Sequence, residues 1–149
     1  MKIEAGSLQI RAAGGDDVEP IGELLVQLGY GTGREGLSAR MASFAEDPCS
    51  VLLVALEDDN VVGLVAFSFV PVLQEPRPWC RISVLVVDER WRARGVGRSL
   101  LFAAERAARA AGCGRIEATS ANDRLDAHRF YEGLGYLRLS AHFLKRIEE

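Results

Sequence analysis

The sequence predicts one α/β domain over residues 1–149, with a mixed central sheet flanked by helices in the order β-α-α-β-β-β-α-β-α-β. Three observations lead there. The chain has 149 residues, and roughly 150 is typical of one domain. Its apolar residues recur now at helical and now at strand spacing, so the two element types interleave. No internal repeat and no linker-like segment divides it.

Leu8-Gln9-Ile10-Arg11 alternates apolar with polar and runs into Ala13-Gly14-Gly15-Asp16-Asp17, a strand followed by a helix N-cap. Val18, Ile21, Leu24, Leu25 and Leu28 then form a helical stripe, with Pro20 in the first turn, where its missing N–H costs nothing. Gly29 to Gly33 break that helix, and Leu37, Met41 and Phe44 mark a second, weaker one ending before Asp47-Pro48. Ser50–Leu56 and Val61–Val70 are β-branched or aromatic runs joined by Glu57-Asp58-Asp59-Asn60, which is a hairpin. After a Pro-containing loop, Ile82–Val87 suits a central strand buried on both faces. Val96, Leu100, Ala103, Ala104, Ala107, Ala108 and Ala111 stripe a long helix that Gly112 and Gly114 end, and its small residues let it lie close to a sheet. Arg115–Ala121 reads as a strand, Arg124–Leu134 as a short helix, and Tyr136–Ile147, with its alternating apolar residues, as a final strand.

With 18 basic and 21 acidic residues the net charge is −3, which argues against a protein that binds nucleic acid by neutralising phosphates. No apolar run is long enough to span a bilayer, and the first residues lack a secretory apolar core, so a soluble cytoplasmic protein without membrane partners is expected. Cys49, Cys80 and Cys113 are odd in number and never spaced as CxxC, and read as reduced, mostly buried small hydrophobes. With two histidines and no HExxH, no metal site is expected. There is no GxSxG elbow to support covalent serine catalysis.

The chemistry-bearing stretch is Val84–Leu101, VLVVDERWRARGVGRSLL. A buried strand leads into a loop ending Arg92-Ala93-Arg94-Gly95-Val96-Gly97, where the long helix begins. The first-turn N–H groups of a helix lack intrahelical partners, glycines allow close approach, and the helix dipole is positive at that end. Arg92, Arg94 and Arg98 add full charges, as a diphosphate requires. The stretch is not a nucleotide P-loop, because GVGRS has neither the Lys nor the spacing. A dinucleotide fingerprint would need Gly at Leu100 and a first Gly directly after the strand, whereas seven residues intervene.

Here the chain resembles the Gcn5-related N-acetyltransferases (GNAT), whose signature of Arg or Gln, two residues, Gly, one residue, then Gly or Ala is met by Arg92, Gly95 and Gly97. A second family element is similar to Asn122 followed by Ala127-His128-Arg129-Phe130-Tyr131-Glu132-Gly133-Leu134-Gly135-Tyr136, and the resemblance spans nearly the whole chain. It implies a GNAT-type acyl-CoA N-acyltransferase fold and acetyl-CoA as cosubstrate. The pyrophosphate would sit on Arg92, Ala93, Arg94, Gly95, Val96, Gly97, Arg98 and Ser99, and the pantetheine arm along Leu85-Val86-Val87 like an added strand. Asn122 would bind the arm or fix a splayed strand, and Tyr131 would lie near the thioester sulfur.

Acetyl transfer needs a neutral amine, of which only about 0.1% is present at pH 7 for a pKa near 10. An N–H from Val87 or its neighbour would stabilise the oxyanion of a tetrahedral intermediate, and the Tyr131 phenol would be the general acid for the leaving thiolate. Many relatives place a Glu in the strand before the loop, but Arg81-Ile82-Ser83-Val84 has no carboxylate. Ser83 holding a water, Glu75 from the preceding loop, and His128 remain alternative routes for the amine proton, while His142 is read as a surface or packing residue. Glu35, Glu46 and Asp47 suit a cationic acceptor or a solvated helix face equally. The expected activity is N-acetylation of a small-molecule or protein amine, with homodimerisation left open; the other reading is an inactive CoA-binding sensor or partner module.

Overall fold

Strands β1 (Leu8–Ala12), β2 (Ser50–Glu57), β3 (Asn60–Val70), β4 (Trp79–Val87) and β5 (Arg115–Ala118) form one sheet, in that spatial order, in the computed structural model. The described residues are 8–30, 35–120 and 124–147. Helices α1 (Val18–Leu28), α2 (Leu37–Glu46), α3 (Val96–Ala110) and α4 (Leu125–Gly133) complete the set. The first three strand pairs are antiparallel, and the α3 crossover from β4 to β5 makes the sheet mixed.

Each expected element of residues 8–118 forms within a few residues of its sequence limits. The β2–β3 hairpin turns at Asp58 and Asp59, whose φ values of 48° and 68° are those a two-residue hairpin loop with matching twist requires. Alternation along β3 feeds both helical layers. Leu64 joins Ile21, Leu24, Leu37, Met41, Val54 and Val86 in the core beneath α1 and α2. Gly63 faces the other way, where a Cβ would come within 3.0 Å of Leu100 and 3.1 Å of Val96, so only glycine lets α3 settle this close to the sheet. Val96, Leu100, Ala103, Ala104 and Ala108 are buried on α3, as its stripe of small and apolar residues predicts; Leu101 is buried beside them, and Ala111, at the helix end, is exposed.

The β1–α1 connection is held by Asp17, buried at 5% exposure. Its carboxylate accepts from Arg11 Nη1 at 2.8 Å, Arg11 Nη2 at 3.1 Å and the Gly14 N–H at 2.7 Å. Those bonds hold the carboxyl below its ordinary pKa, the Arg11 guanidinium contributing most.

The β3–β4 ladder carries one irregularity. Ala66 lies opposite Val84 while Phe67 lies opposite Ile82, so Ser83 is an extra residue on β4, a β-bulge.

The chain divides into two compact units, Met1–Glu117 and Ala118–Glu149. In the second, Phe130, Tyr131 and Tyr136 stack edge-on or tilted, with centroids 5.3 and 5.5 Å apart. The strand expected over Tyr136–Ile147 does not form: that segment has no regular secondary structure, and Leu137, Leu139, Phe143 and Ile147 are exposed. Alternation supplies strand propensity, but a strand forms only where a partner takes its N–H and C=O groups. The cysteines also differ from expectation. Only Cys80 is buried; Cys49, in the turn before β2, is exposed, and Cys113 is half-buried.

Candidate active site

The end of β4 is pinned before the loop begins. Asp88, 7% exposed, donates its N–H to the Val62 carbonyl, and its carboxylate accepts from the Arg90 N–H at 2.9 Å and the Arg90 guanidinium at 3.1 and 3.2 Å. These bonds keep the Asp88 carboxyl ionised, well below its ordinary range. The Glu89 N–H reaches Gln27 Oε1 on α1 at 2.9 Å, a second anchor.

From there the chain turns through two left-handed residues, Ala93 at φ 62° and Gly95 at φ 87°. Gly95 is the N-cap of α3 and makes no side-chain cap, so the N–H groups of Val96, Gly97 and Arg98 open the helix without an intrahelical acceptor. A Cβ at Gly95 would meet nothing within 4 Å, leaving open space over the cap. Arg94 stacks on the Trp91 ring at 4.9 Å within the loop, and Arg98 lies over Phe102, one turn further along α3, at 5.2 Å. The N-terminus of a 15-residue helix, two left-handed residues and nearby arginines together make an arrangement able to take an anion such as a diphosphate.

A cavity of about 540 Å³ lies at the bulge, and along the chain Leu85-Val86-Val87 and the Asp88–Trp91 turn come between it and this cradle. Its walls include Ile21 and Leu25 of α1, Met41 and Phe44 of α2, and Leu52 and Val84 of the sheet. Its polar lining residues are Tyr30, Arg40 and Ser83. The Ser83 hydroxyl donates to the Ala66 carbonyl at 3.3 Å, which leaves oxygen lone pairs able to accept from a water.

Ser83 is thus brought to the cavity, whereas Glu75 is not among its lining residues. Glu75 accepts from Trp79 Nε1 at 2.9 Å and lies 3.9 Å from Arg115, whose guanidinium sits 3.3 Å from the Trp79 ring centroid. Arg115 also approaches Glu117 at 3.7 Å, and Arg81 Nε donates to Glu117 at 2.6 Å, so these side chains form one chain of alternating charge across β4 and β5. Glu35, Glu46 and Asp47 do not line the cavity either; Asp47 accepts from the Cys49 N–H and Ser50 Oγ at the start of β2. Tyr131 lies half-buried on α4, and burial pushes its phenol up to about 12. His128 is half-buried on the same helix, and His142 is exposed. Asn122 and the Gly31-Thr32-Gly33 part of the break after α1 lie outside the described residues.

Sequence reasoning missed the bulge, Arg40 and the Arg81–Glu117 pair. Their only local trace is the polar Arg81 and Ser83 inside an otherwise apolar strand. Among the described residues no group of three or more His, Cys, Asp or Glu side chains is placed to hold a metal ion, and no helix is long and apolar enough to cross a membrane.

The model of the Acetyltransferase (GNAT) family matches residues 20–136. The chain is 30% identical over 144 residues to an aminoalkylphosphonate N-acetyltransferase of Salmonella typhimurium, covering 93% of this chain and 91% of that one. Among solved structures, a protein described as a transcriptional regulator from Bacillus halodurans C-125 superposes with a TM-score of 0.86 at 27% identity, covering 95% of this chain and 99% of that one. The aminoglycoside N-acetyltransferase AAC(6')-Iy in complex with CoA shares the fold, with a TM-score of 0.84 at 18% identity and 94% of each chain covered. The cradle at the start of α3, its place after a bulged β4 and the family match across both compact units lead to one conclusion: the chain belongs to the GNAT family of acetyl-CoA-dependent N-acetyltransferases.

Proposed function

We propose that residues 1–149 act as one N-acetyltransferase domain that moves the acetyl group of acetyl-CoA directly to a primary amine, through a tetrahedral intermediate, with Tyr131 as general acid. The observation that carries this reading is the continuity of β4. Its last residues, Leu85-Val86-Val87, run from a cavity at Ser83 able to admit an amine toward the turn that opens the anion cradle at Arg92–Ser99. That course suits a thioester arm laid along Leu85-Val86-Val87 with its reactive end at the cavity.

In this mechanism the neutral amine nitrogen attacks the thioester carbon, a C–N bond forms, and the carbonyl oxygen takes up negative charge. An N–H of Val87 or its neighbour meets that charge. The C–S bond then breaks and sulfur keeps its electron pair. A phenol with a pKa of about 12 is a weaker acid than a thiol, ordinarily near 8.5, so its proton moves to sulfur only as the proton shed by the amine returns to the phenolate. The role of Tyr131 rests on the AxxFYxxxGY motif. For the first proton, a water held at Ser83 fits better than Glu75, which is engaged by Trp79 and Arg115. The small-molecule amine named for the Salmonella relative makes a small amine the preferred acceptor over a protein. A cytoplasmic location is part of the reading, since Cys49, Cys80 and Cys113 are all free thiols.

The test is thiol release from acetyl-CoA over a panel of primary amines, with the acetylated product identified by mass. Release that never exceeds background hydrolysis, in protein shown to bind acetyl-CoA, would overturn the transferase reading.

A further inference from the structure

The cavity at Ser83 is lined mostly by apolar side chains, and no Asp or Glu stands among the described residues that line it. Its volume of about 540 Å³ falls in the range of about 300–1,000 Å³ found for small-molecule sites. Ile21 and Leu25 of α1, Met41 and Phe44 of α2, and Leu52 and Val84 of the sheet form its walls. The titratable side chains there are Tyr30, after α1, and Arg40 on α2; α1 itself and the strands contribute none.

That lining bears on the proton the acceptor amine must lose. An ammonium ion entering apolar surroundings gives up water without gaining an anion, so burial favours the neutral amine and lowers its pKa. A carboxylate beside the nitrogen would do the opposite and hold the proton on it. At this point β4 reads Arg81-Ile82-Ser83-Val84 and offers the cavity a hydroxyl and no carboxylate. The hydroxyls of Ser83 and Tyr30 can accept a hydrogen bond, but neither supplies the negative charge that would offset an ammonium's lost hydration, and a guanidinium has donors only.

We infer that the acceptor is a primary amine on an uncharged apolar body, and that the cavity takes it in its neutral form, with the proton left on water outside. This rests on the cavity being the acceptor site of the transferase proposed above. The apolar body displaces water from the Leu25, Met41, Phe44 and Leu52 walls, and the nitrogen comes to Ser83 already carrying the lone pair that attacks the thioester. Phe44 is the specificity-determining residue for that body. It is the largest apolar side chain of the lining, and it is only half-buried in the last turn of α2, so its ring has surface left to cover. A polycation would lose the hydration of its further ammonium groups against the same walls. A short amine would leave the walls wet.

Binding and turnover are measured separately. Calorimetry on CoA-saturated protein compares hexylamine, ethylamine, 2-aminoethylphosphonate and kanamycin, with hexanol as a ligand that does not ionise. Hexylamine should bind about tenfold or more tightly than ethylamine, because its longer chain leaves water. It should also bind more tightly than 2-aminoethylphosphonate and kanamycin. Its affinity should rise about tenfold per pH unit between about pH 7 and 9, following the neutral fraction, while that of hexanol stays level. Heats measured in phosphate and in Tris at neutral pH should show about one proton released per hexylamine bound. Phe44→Ala should weaken hexylamine binding about tenfold, Phe44→Leu should keep most of it, and coenzyme A affinity should stay unchanged in both. Binding of any other amine as tight as that of hexylamine, an affinity level in pH, a proton count of zero, or no loss in Phe44→Ala would overturn the inference. Thiol release from acetyl-CoA with the same amines distinguishes the two ideas. Hexylamine binding that rises with pH, without release at any amine, would sink the transferase and leave the cavity's selection standing; release confined to kanamycin or 2-aminoethylphosphonate would do the reverse.

Discussion

Arg92 Nε donates to the Val87 carbonyl at 3.2 Å, so the first arginine of the loop is tied to the last residue of the strand it has just left. With Asp88 bound to Val62 and Arg90, and Arg94 stacked on Trp91, the approach to α3 is held at several points before any ligand arrives. An anion site ordered in advance binds without the entropy loss of ordering it.

Acetyl-CoA should therefore raise the melting temperature, adding about 2.7 kcal/mol of stability at a hundred times its dissociation constant. Gly97→Glu places a carboxylate in the first turn of α3, where the helix dipole tolerates it but a pyrophosphate does not. Coenzyme A affinity should fall at least about tenfold in calorimetry; equal affinities would show that the pyrophosphate lies elsewhere.

Tyr131→Phe removes the hydroxyl and keeps the ring between Phe130 and Tyr136. Turnover on an identified acceptor should drop about 10²- to 10⁴-fold with acetyl-CoA binding nearly unchanged. Because burial holds the phenol protonated up to about 12, the wild-type rate should show no fall from its ionisation below about pH 10. A rate unaltered by the substitution, measured where chemistry limits, reduces Tyr131 to packing.

Ser83→Ala and Glu75→Gln should each slow transfer only modestly. Gln retains an oxygen for the Trp79 indole, so that variant isolates the charge of Glu75 from its structural bond. The residual rate should rise with pH toward the amine's own pKa, as expected when water carries the proton. If either variant abolishes transfer while still binding acetyl-CoA, and removes an ionisation near pH 6 to 7 present in the wild type, that residue is a dedicated base.

Asp17→Asn weakens a buried carboxylate that serves Arg11 and the Gly14 N–H, at a cost of about 1–3 kcal/mol in urea denaturation at pH 7. The folded carboxyl has a depressed pKa, so its stabilisation is complete above the ordinary value of 3.8 and lost as pH falls through the lower, folded value. Wild type should thus lose more stability than the variant on going from pH 5 to pH 2. Parallel acid profiles would show that Asp17 is not the group responsible.

Features encoded in neighbouring residues were legible in the sequence. The Asp58-Asp59 hairpin, the α3 stripe and the turn at Gly95 each depend on residues within one or two turns of chain. The bulge was not, because it exists only in the pairing of Ser83 with a strand 17 residues earlier. Nor was the Arg81–Glu117 pair, which joins residues 36 apart. Arg40 gave no signal in the sequence, because only the packing of α1 and α2 on the sheet turns its location into a cavity wall. Tyr136–Ile147 shows the converse: a strand-like period in a segment without regular secondary structure.

The single surplus residue in β4 acts as a parity switch. Before it, even-numbered side chains such as Ile82, opposite Phe67, share the face that Gly63 turns to α3; after it, the even-numbered Val84 and Val86 lie beneath α1 and α2. Removing Ser83 outright is therefore a different experiment from trimming its hydroxyl. With the surplus residue gone, Val84 opposite Ala66 and Ile82 opposite Phe67 become neighbours in an unbroken ladder, and each half of the strand keeps its faces. What goes is the local bend and added twist that a bulge gives its strand, at the point where Ser83 and Val84 both line the cavity. Ser83→Ala leaves that bend in place and removes only the hydroxyl.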